Sequence, residues 1–164
     1  MQKSIFLGKD IKRQTVEKYF DMVYKLALSQ AKDVSLAEDI TSDVFLKYIE
    51  SAKDFESEEH IKAWLIRVTI NRAKSIFKSA HYTKTVPLAD TLEAEMPKEE
   101  SDVYEAVLKL PRKYRAAIHL FYYEGYKTAE IAGILKMKEA TVRSQLARAR
   151  QMLRGILEGE KADV

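Results

Sequence analysis

Apolar residues recur along this chain at helical spacing, and alternation with period two is nowhere sustained. The pattern predicts a helix over 10–31 with a wide apolar face of Val16, Tyr19, Phe20, Val23, Tyr24, Leu26 and Ala27. Ser35 and Glu38 have the form of a capping box that opens a second helix running to about Ser51, with Leu36, Ile40, Val44, Phe45, Tyr48 and Ile49 inward. Ser57 is placed to cap a third helix over 58–80 that turns Ile61, Trp64, Leu65, Val68 and Ile76 inward, with Glu58 and Glu59 at its positive end. Ser101 is expected to cap a short helix to Lys109, which Leu110-Pro111 interrupts. Residues 112–124 resume it with Tyr114, Ala117, Ile118, Phe121 and Tyr122 inward, and Gly125 ends it.

The stretch from Glu124 to Leu157 stands out within this pattern. Ile131, Ala132 and Leu135 mark a short helix, Lys136-Met137-Lys138 leaves room only for a turn, and Val142, Leu146, Ala149 and Leu153 mark a second, strongly basic helix. Two helices joined by so short a turn, the second of them basic, form the helix-turn-helix pattern. Thr141, Arg143, Ser144 and Gln145 open the second helix with side chains that reach base edges, and Arg148 and Arg150 follow with charges that suit phosphates. An amphipathic helix pair with a solvated charged face is the plainer explanation, and the short turn weighs against it.

Composition sharpens this picture. Five Gly and three Pro in 164 residues suit long helices and few strands, so the fold class is all-α. Residues 82–100 hold Pro87, Pro97 and mostly acidic side chains, which predicts a flexible acidic linker between two small helical domains. The boundaries that follow are 1–82, a linker over 83–100, and a helix-turn-helix domain over 101–158. The net charge of +3 hides a segregation, because residues 60–86 carry six Lys/Arg and no acid while residues 33–59 carry two Lys/Arg against nine Asp/Glu. Two basic segments, 60–86 and 111–154, separated by acidic ones suggest two nucleic-acid surfaces; mutual neutralisation inside one compact fold is the alternative.

In the first of these segments Lys62, Arg67, Arg72, Lys74 and Lys78 flank Trp64, and bases stack on aromatic faces while cations follow the phosphates. A core role is the commoner one for a tryptophan. The acidic face of the second helix, Glu38, Asp39 and Asp43, is either plainly solvated or a dock for a basic partner. The absence of cysteine and of any apolar run of about 18 residues points to a cytoplasmic chain with no disulfide, thiolate metal site or membrane span. His60, His81 and His119 are scattered, so exposed or core-satisfied histidines are expected rather than a metal cluster, and no glycine loop cradles phosphate. Neither a cofactor nor an enzymatic activity is expected.

Taken in order, these segments resemble the extracytoplasmic-function sigma factors of the sigma-70 family over nearly the whole chain. The resemblance rests on Ala37-Glu38-Asp39-Ile40 through Asp43-Val44-Phe45, on Ala63-Trp64-Leu65 with Asn71, on Leu110-Pro111 with Tyr114-Arg115, on Glu130-Ile131-Ala132, and on Thr141 to Leu146 with Arg148-Ala149-Arg150. It implies a specificity subunit of RNA polymerase that directs promoter-specific transcription initiation. Glu38, Asp39, Asp43 and Phe45 would dock on the clamp of the polymerase's largest subunit. Lys62, Trp64, Arg67 and Asn71 would hold the melted −10 strand. Lys138, Thr141, Arg143, Ser144, Gln145, Arg148 and Arg150 would meet the −35 duplex. An anti-sigma protein, which in many relatives wedges between the two domains, belongs to the same set of implied partners.

Departures from the family pattern lie mostly in the helix-turn-helix. Lys136 and Ala140 stand where glycines are usual, Gln145 where Arg is common, and Lys127 and Lys138 where Ser commonly caps each helix. Lysine cannot accept the backbone N–H bonds of a cap, so both helix ends should be weaker. Two alternatives stay open at this point: a helix-turn-helix regulator that acts without docking polymerase, and a degenerate sigma-like interaction protein.

Overall fold

The computed structural model describes residues 2–79 and 98–162, with side chains over 8–79 and 102–159. Every regular element among the described residues is helical. α1 spans Gln2–Ala31, α2 Val34–Glu50, α3 Glu58–Lys78, α4 Lys98–Leu108, α5 Arg112–Ile118, α6 Thr128–Leu135 and α7 Glu139–Ala162. A π-helical turn, His119–Tyr123, continues α5 without a break. The expected linker, with Pro87 and Pro97, lies outside the described residues as far as 97.

Two apolar cores form, and they share α1 and α3. Val23 and Ala27 of α1 meet Ile40 and Val44 of α2 and Leu65 and Ala73 of α3 in the first. Leu26 of α1 and Ile66 of α3 instead join Leu110, Ile118, Leu120, Ile131, Val142 and Leu146 in the second. The wide apolar face read for α1 is thus two adjacent stripes, each turned to a different core. A polar contact pins the second group to the first. Arg115, 6% exposed, donates from Nε to Ser29 O at 2.7 Å, from Nη2 to Gln30 O at 3.1 Å, and from Nη1 to Leu110 O. Burial pushes its guanidinium down to about 10, which leaves it charged at neutral pH.

Several local expectations need correction. α1 begins well before residue 10, since Gly8 inside a helix costs only about 1 kcal/mol and no proline interrupts. Asp33, not Ser35, caps α2: its carboxylate accepts the Ser35 N–H at 3.0 Å. Asp33 wins because Lys32 turns the chain through the left-handed region (φ 57) immediately after α1, so α2 starts two residues earlier than Ser35 allows. Ser57 does cap α3, accepting the His60 N–H at 3.1 Å. α4 starts at Lys98, which puts Ser101 inside the helix and not at its cap. Phe20 is 51% exposed and Ile49 51% exposed, both expected inward, because Tyr19, Phe45 and Tyr48 occupy the facing positions.

The helix-turn-helix itself forms as read, with Gly125 (φ 73) ending the preceding element. Lys136 closes α6 in the left-handed region at φ 54. A side chain in that region costs about 1–2 kcal/mol that glycine avoids. Lys136→Gly should therefore raise the unfolding free energy by about 1 kcal/mol in denaturant titrations, after the glycine's larger unfolded-state entropy is set against it. Lys136→Ala, which keeps the Cβ, should leave it nearly unchanged.

Candidate nucleic-acid interface

Val142, Leu146 and Ala149 are buried in the second core, and that burial sets the rotation of α7. Thr141, Ser144 and Arg148 consequently face solvent on one side, with Gln145 half-buried beside them. They share a shallow concavity of about 360 Å³ with Lys113 and Tyr114 of α5. Neither of these last two was in the expected duplex-reading set; Tyr114 entered the sequence reading as an apolar position and as part of the Leu110-Pro111 motif. Arg148 hydrogen-bonds to the Tyr114 hydroxyl and pulls its pKa below the usual phenol range, and the Lys113 ammonium lies 5.0 Å from the same ring's centroid. The concavity therefore collects two cations, a phenol, two hydroxyls and an amide.

The other members of the expected duplex-reading set divide. Lys138 precedes α7 and is exposed; its carbonyl accepts the Thr141 and Val142 N–H groups at 3.0 and 3.2 Å. Arg143 is exposed but lies roughly 100° round the helix from Ser144. Arg150 is already engaged: Nε donates to the Tyr122 hydroxyl at 2.8 Å, and the guanidinium sits 5.4 Å from the Phe121 ring centroid. Tyr122, expected inward, is 55% exposed and serves as that acceptor. The lysines at the two helix starts provide no side-chain cap. Glu130 instead accepts the Lys127 N–H at 3.0 Å, and the Thr128 hydroxyl donates to Glu139 at 3.0 Å, tying the start of α6 to the start of α7.

On α3, Trp64 is half-buried in an aromatic cluster with Phe55 (5.6 Å) and Tyr48 (6.2 Å). Lys62 turns toward the second group, 3.2 Å from the Glu124 carboxylate and 5.1 Å from the Tyr126 ring centroid. Burial works against the Lys62 charge, but Tyr126 and Glu124 outweigh it and leave its pKa raised. Arg67 is half-buried. Asn71 is exposed and opens into a crevice of about 370 Å³ that it shares with Lys74, Arg112, Met137 and Gln145. Hence only part of the α3 set faces open solvent.

On α2, Glu38 and Asp39 are exposed, whereas Asp43 accepts from Arg72 Nε at 2.9 Å. Phe45 is inward, as the helical spacing has it: it is 5% exposed and stacks on Phe20 at 5.9 Å, so the clamp role implied by the resemblance would fall on a buried side chain. Its neighbour Leu46, 54% exposed, and Ile49 are the apolar residues that this helix presents outward.

The histidines behave unequally. His60 accepts the Glu56 N–H at 3.2 Å and stacks edge-on against Phe55, while His81 lies outside the described residues. His119 overturns the expectation of a satisfied core histidine: it is 4% exposed, and neither ring nitrogen has a hydrogen-bond partner. No group of three His, Asp or Glu residues is placed to hold a metal among the described residues, and no helix there is long and apolar enough to cross a membrane. Burial, aided by the Lys25 charge, pushes His119 from 6.5 down to about 4. The unfolded chain thus binds a proton that the folded chain refuses, so stability should fall as pH drops from about 6.5 toward about 4, by roughly 3 kcal/mol in all. Urea unfolding across that window should show a steeper decline for the native chain than for His119→Leu, which has no proton to bind.

Comparison with known proteins places these surfaces in a family. Residues 15–81 match the model for sigma-70 region 2, and residues 100–153 match the model for sigma-70 region 4. The ECF RNA polymerase sigma factor SigE of Mycolicibacterium smegmatis is 30% identical over 156 residues, covering 88% of this chain and 60% of its own length. The ECF RNA polymerase sigma factor SigM of Bacillus subtilis is 28% identical over 149 residues, covering 84% of this chain and 90% of its own. In fold, the chain is similar to the sigma factor RpoE of Bartonella quintana, solved in complex with the anti-sigma factor NepR, with a TM-score of 0.73, 22% identity, and coverage of 92% of this chain and 98% of that one. CnrH, solved with the cytosolic domain of CnrY, follows at a TM-score of 0.68 and 21% identity over 92% of this chain and 90% of that one. With region 2 and region 4 present in order and the extracytoplasmic-function relatives aligned across both, the chain belongs to the extracytoplasmic-function group of the sigma-70 family.

Proposed function

We propose that this chain is a sigma factor that directs promoter-specific transcription initiation by binding core RNA polymerase and recognising −10 and −35 elements. It acts as a specificity subunit and not as an enzyme, and it works in the cytoplasm, where the polymerase is. The observation that carries this reading is the union, in one chain, of region 2 with its acidic α2 face and region 4 with a solvent-facing recognition helix. A regulator that only binds duplex DNA has no need of the first.

For the −35 duplex, the supported set is Thr141, Ser144, Gln145 and Arg148 on the concave face, joined by Lys113, with Lys138 and Arg143 on the flanks. Arg150 is better placed to hold Tyr122 and Phe121 than to meet phosphate. For the melted −10 strand, Asn71 and Arg67 are accessible directly, Trp64 by the exposed part of its ring, and Lys62 once Glu124 releases it. For the polymerase clamp, Glu38 and Asp39 supply charge, and Leu46 and Ile49 supply the apolar contact first looked for in Phe45. An anti-sigma protein remains an expected partner, as for the RpoE neighbour solved with the anti-sigma factor NepR.

Transcription in vitro on genomic DNA fragments, with core polymerase alone and with core polymerase plus this chain, tests the function. New start sites that share two upstream elements are expected only with the chain; duplex binding without core binding or new starts would make it an ordinary helix-turn-helix regulator. On the promoters so found, Arg148→Ala should reduce the slope of log affinity against log salt by about one unit. Arg150→Ala should leave that slope nearly unchanged and lower the melting temperature instead, because it removes a hydrogen bond and a cation–π contact within region 4.

A further inference from the structure

The crevice that holds Asn71 and Gln145 has a chemistry of its own. About 370 Å³ in volume, it is walled by α3 on one side and by α5 with the helix-turn-helix on the other. That volume lies within the range of small-molecule sites. Lys74, Arg112 and Lys113 line it with positive charge, and no carboxylate does so among the described residues. Lys74 is exposed. The Arg112 guanidinium is held at the wall, with Nη1 3.5 Å from Ala73 O and its carbon 4.3 Å from the Phe77 ring centroid. Those contacts occupy few of its five N–H donors.

Gln30 lies deepest in the crevice, 1% exposed, near the end of α1. Its carbonyl accepts from Arg115, but its side-chain Nε2 is buried with no hydrogen-bond acceptor. Native proteins leave few buried donors unmet, because the cost is that of an uncompensated desolvation. An acceptor on a bound molecule would meet this one. Asn71 and Gln145 add two more primary amides from opposite walls. Such amides pair with two atoms on a purine edge at once, as Asn and Gln do with adenine. Ile70, Leu135 and Met137 offer apolar surface for a flat ring, and a thioether sulfur suits aromatic rings. Phosphate oxygens suit the cations, Arg112 above all, since a guanidinium binds them in a fork.

We infer that this crevice is a binding site for a purine nucleotide, with the base among the amides of Gln30, Asn71 and Gln145 and the phosphates on Lys74, Arg112 and Lys113. Both regions build the site, so the ligand bridges them. With no carboxylate lining it, the crevice has no base to activate water, and the nucleotide is bound rather than hydrolysed. A melted DNA strand offers the same base and phosphate chemistry, and the experiment separates the two sources. Nucleotide binding uses no step of promoter recognition and is tested without promoter or polymerase.

Calorimetric titration of the full chain with ADP, free of magnesium that would shield the phosphates, is the test. Saturable binding of ADP is expected. Adenosine and pyrophosphate should each bind at least about tenfold more weakly, because each offers only part of the contacts. Gln30→Leu and Lys74→Ala should each weaken ADP about tenfold, the effect of losing one buried or charge-assisted hydrogen bond. Lys53→Ala, at an exposed lysine outside the crevice, should leave the affinity unchanged. ADP should also raise the melting temperature of the native chain, and by less in the two crevice variants. Circular dichroism checks that Gln30→Leu folds, and the exposed Lys74 gives a decisive variant if it does not. No saturable ADP binding, or binding that survives the crevice substitutions, would overturn the site. Pyrophosphate binding as tight as that of ADP would make it a bare anion patch and overturn the nucleotide. A single-stranded DNA trinucleotide that displaces ADP at equal affinity would assign the crevice to the melted strand and overturn the free nucleotide as its ligand.

Discussion

A buried guanidinium must be satisfied where it lies, and Arg115 is satisfied by the backbone of another element. Its hydrogen bonds go to the carbonyls of Ser29 and Gln30 at the end of α1 and to Leu110 at the turn before α5. The final carbonyls of a helix lack intrahelical donors and sit at the negative end of its dipole. One side chain thus answers two needs, its own and that of α1. Because the guanidinium is planar and forked, it fixes orientation as well as position. α5 is thereby set against α1, and α6 and α7 follow through the core that α5 shares with them.

Helices α1 and α3 take part in both cores, which has an electrostatic consequence. A helix that buries two apolar stripes retains a narrow polar face. On α3 Arg67, Asn71 and Lys74 share that face, and Lys62, well round the helix from them, meets region 4. Glu124 meets Lys62 there, so an acidic residue of the otherwise basic region 4 neutralises a cation of region 2. The alternation of basic and acidic segments along the chain is therefore used in two ways. Some charges pair across the fold, as Arg72 with Asp43, and others, such as Glu38, Asp39 and Arg143, face solvent.

Much of this was legible in the sequence, and the misses have specific causes. Helix positions, the Ser57 cap, the Gly125 stop and the helix-turn-helix follow from local signals, and locally they hold. Periodicity identifies a stripe without saying which partner covers it. Leu26 and Val23 were one face by that measure and belong to two cores. The resemblance put Phe45 on the clamp, while the helical spacing had it inward, where it lies. Arg115 carried no local sign of burial, because two of its three acceptors lie more than 80 residues away and all are backbone atoms that every sequence has. The π turn adds a residue to a helix read at 3.6 per turn, which swings Tyr122 outward and buries His119. Arg150 looked like a phosphate ligand by its charge, and only the position of Tyr122 shows where it goes.

The helix-turn-helix shows how departures from a family pattern can leave geometry intact. Two lysines replace the usual serine caps, a third stands at the left-handed position, and each change removes local support. The Thr128 to Glu139 bond restores some of it from across the turn, joining the two helix starts directly. Glu130 supplies the half of a capping box that Lys127 cannot spoil, since it needs only the Lys127 backbone N–H. The direction of α7 is then decided by the burial of Val142, Leu146 and Ala149, none of which departs from the apolar pattern. The substitutions act on the stability of the turn, while the aim of the recognition face is set by the core behind it. What separates this chain from its relatives in promoter choice should accordingly lie in the exposed positions themselves, with Gln145 foremost on α7, because it alone of that helix's reading residues also lines the crevice against region 2.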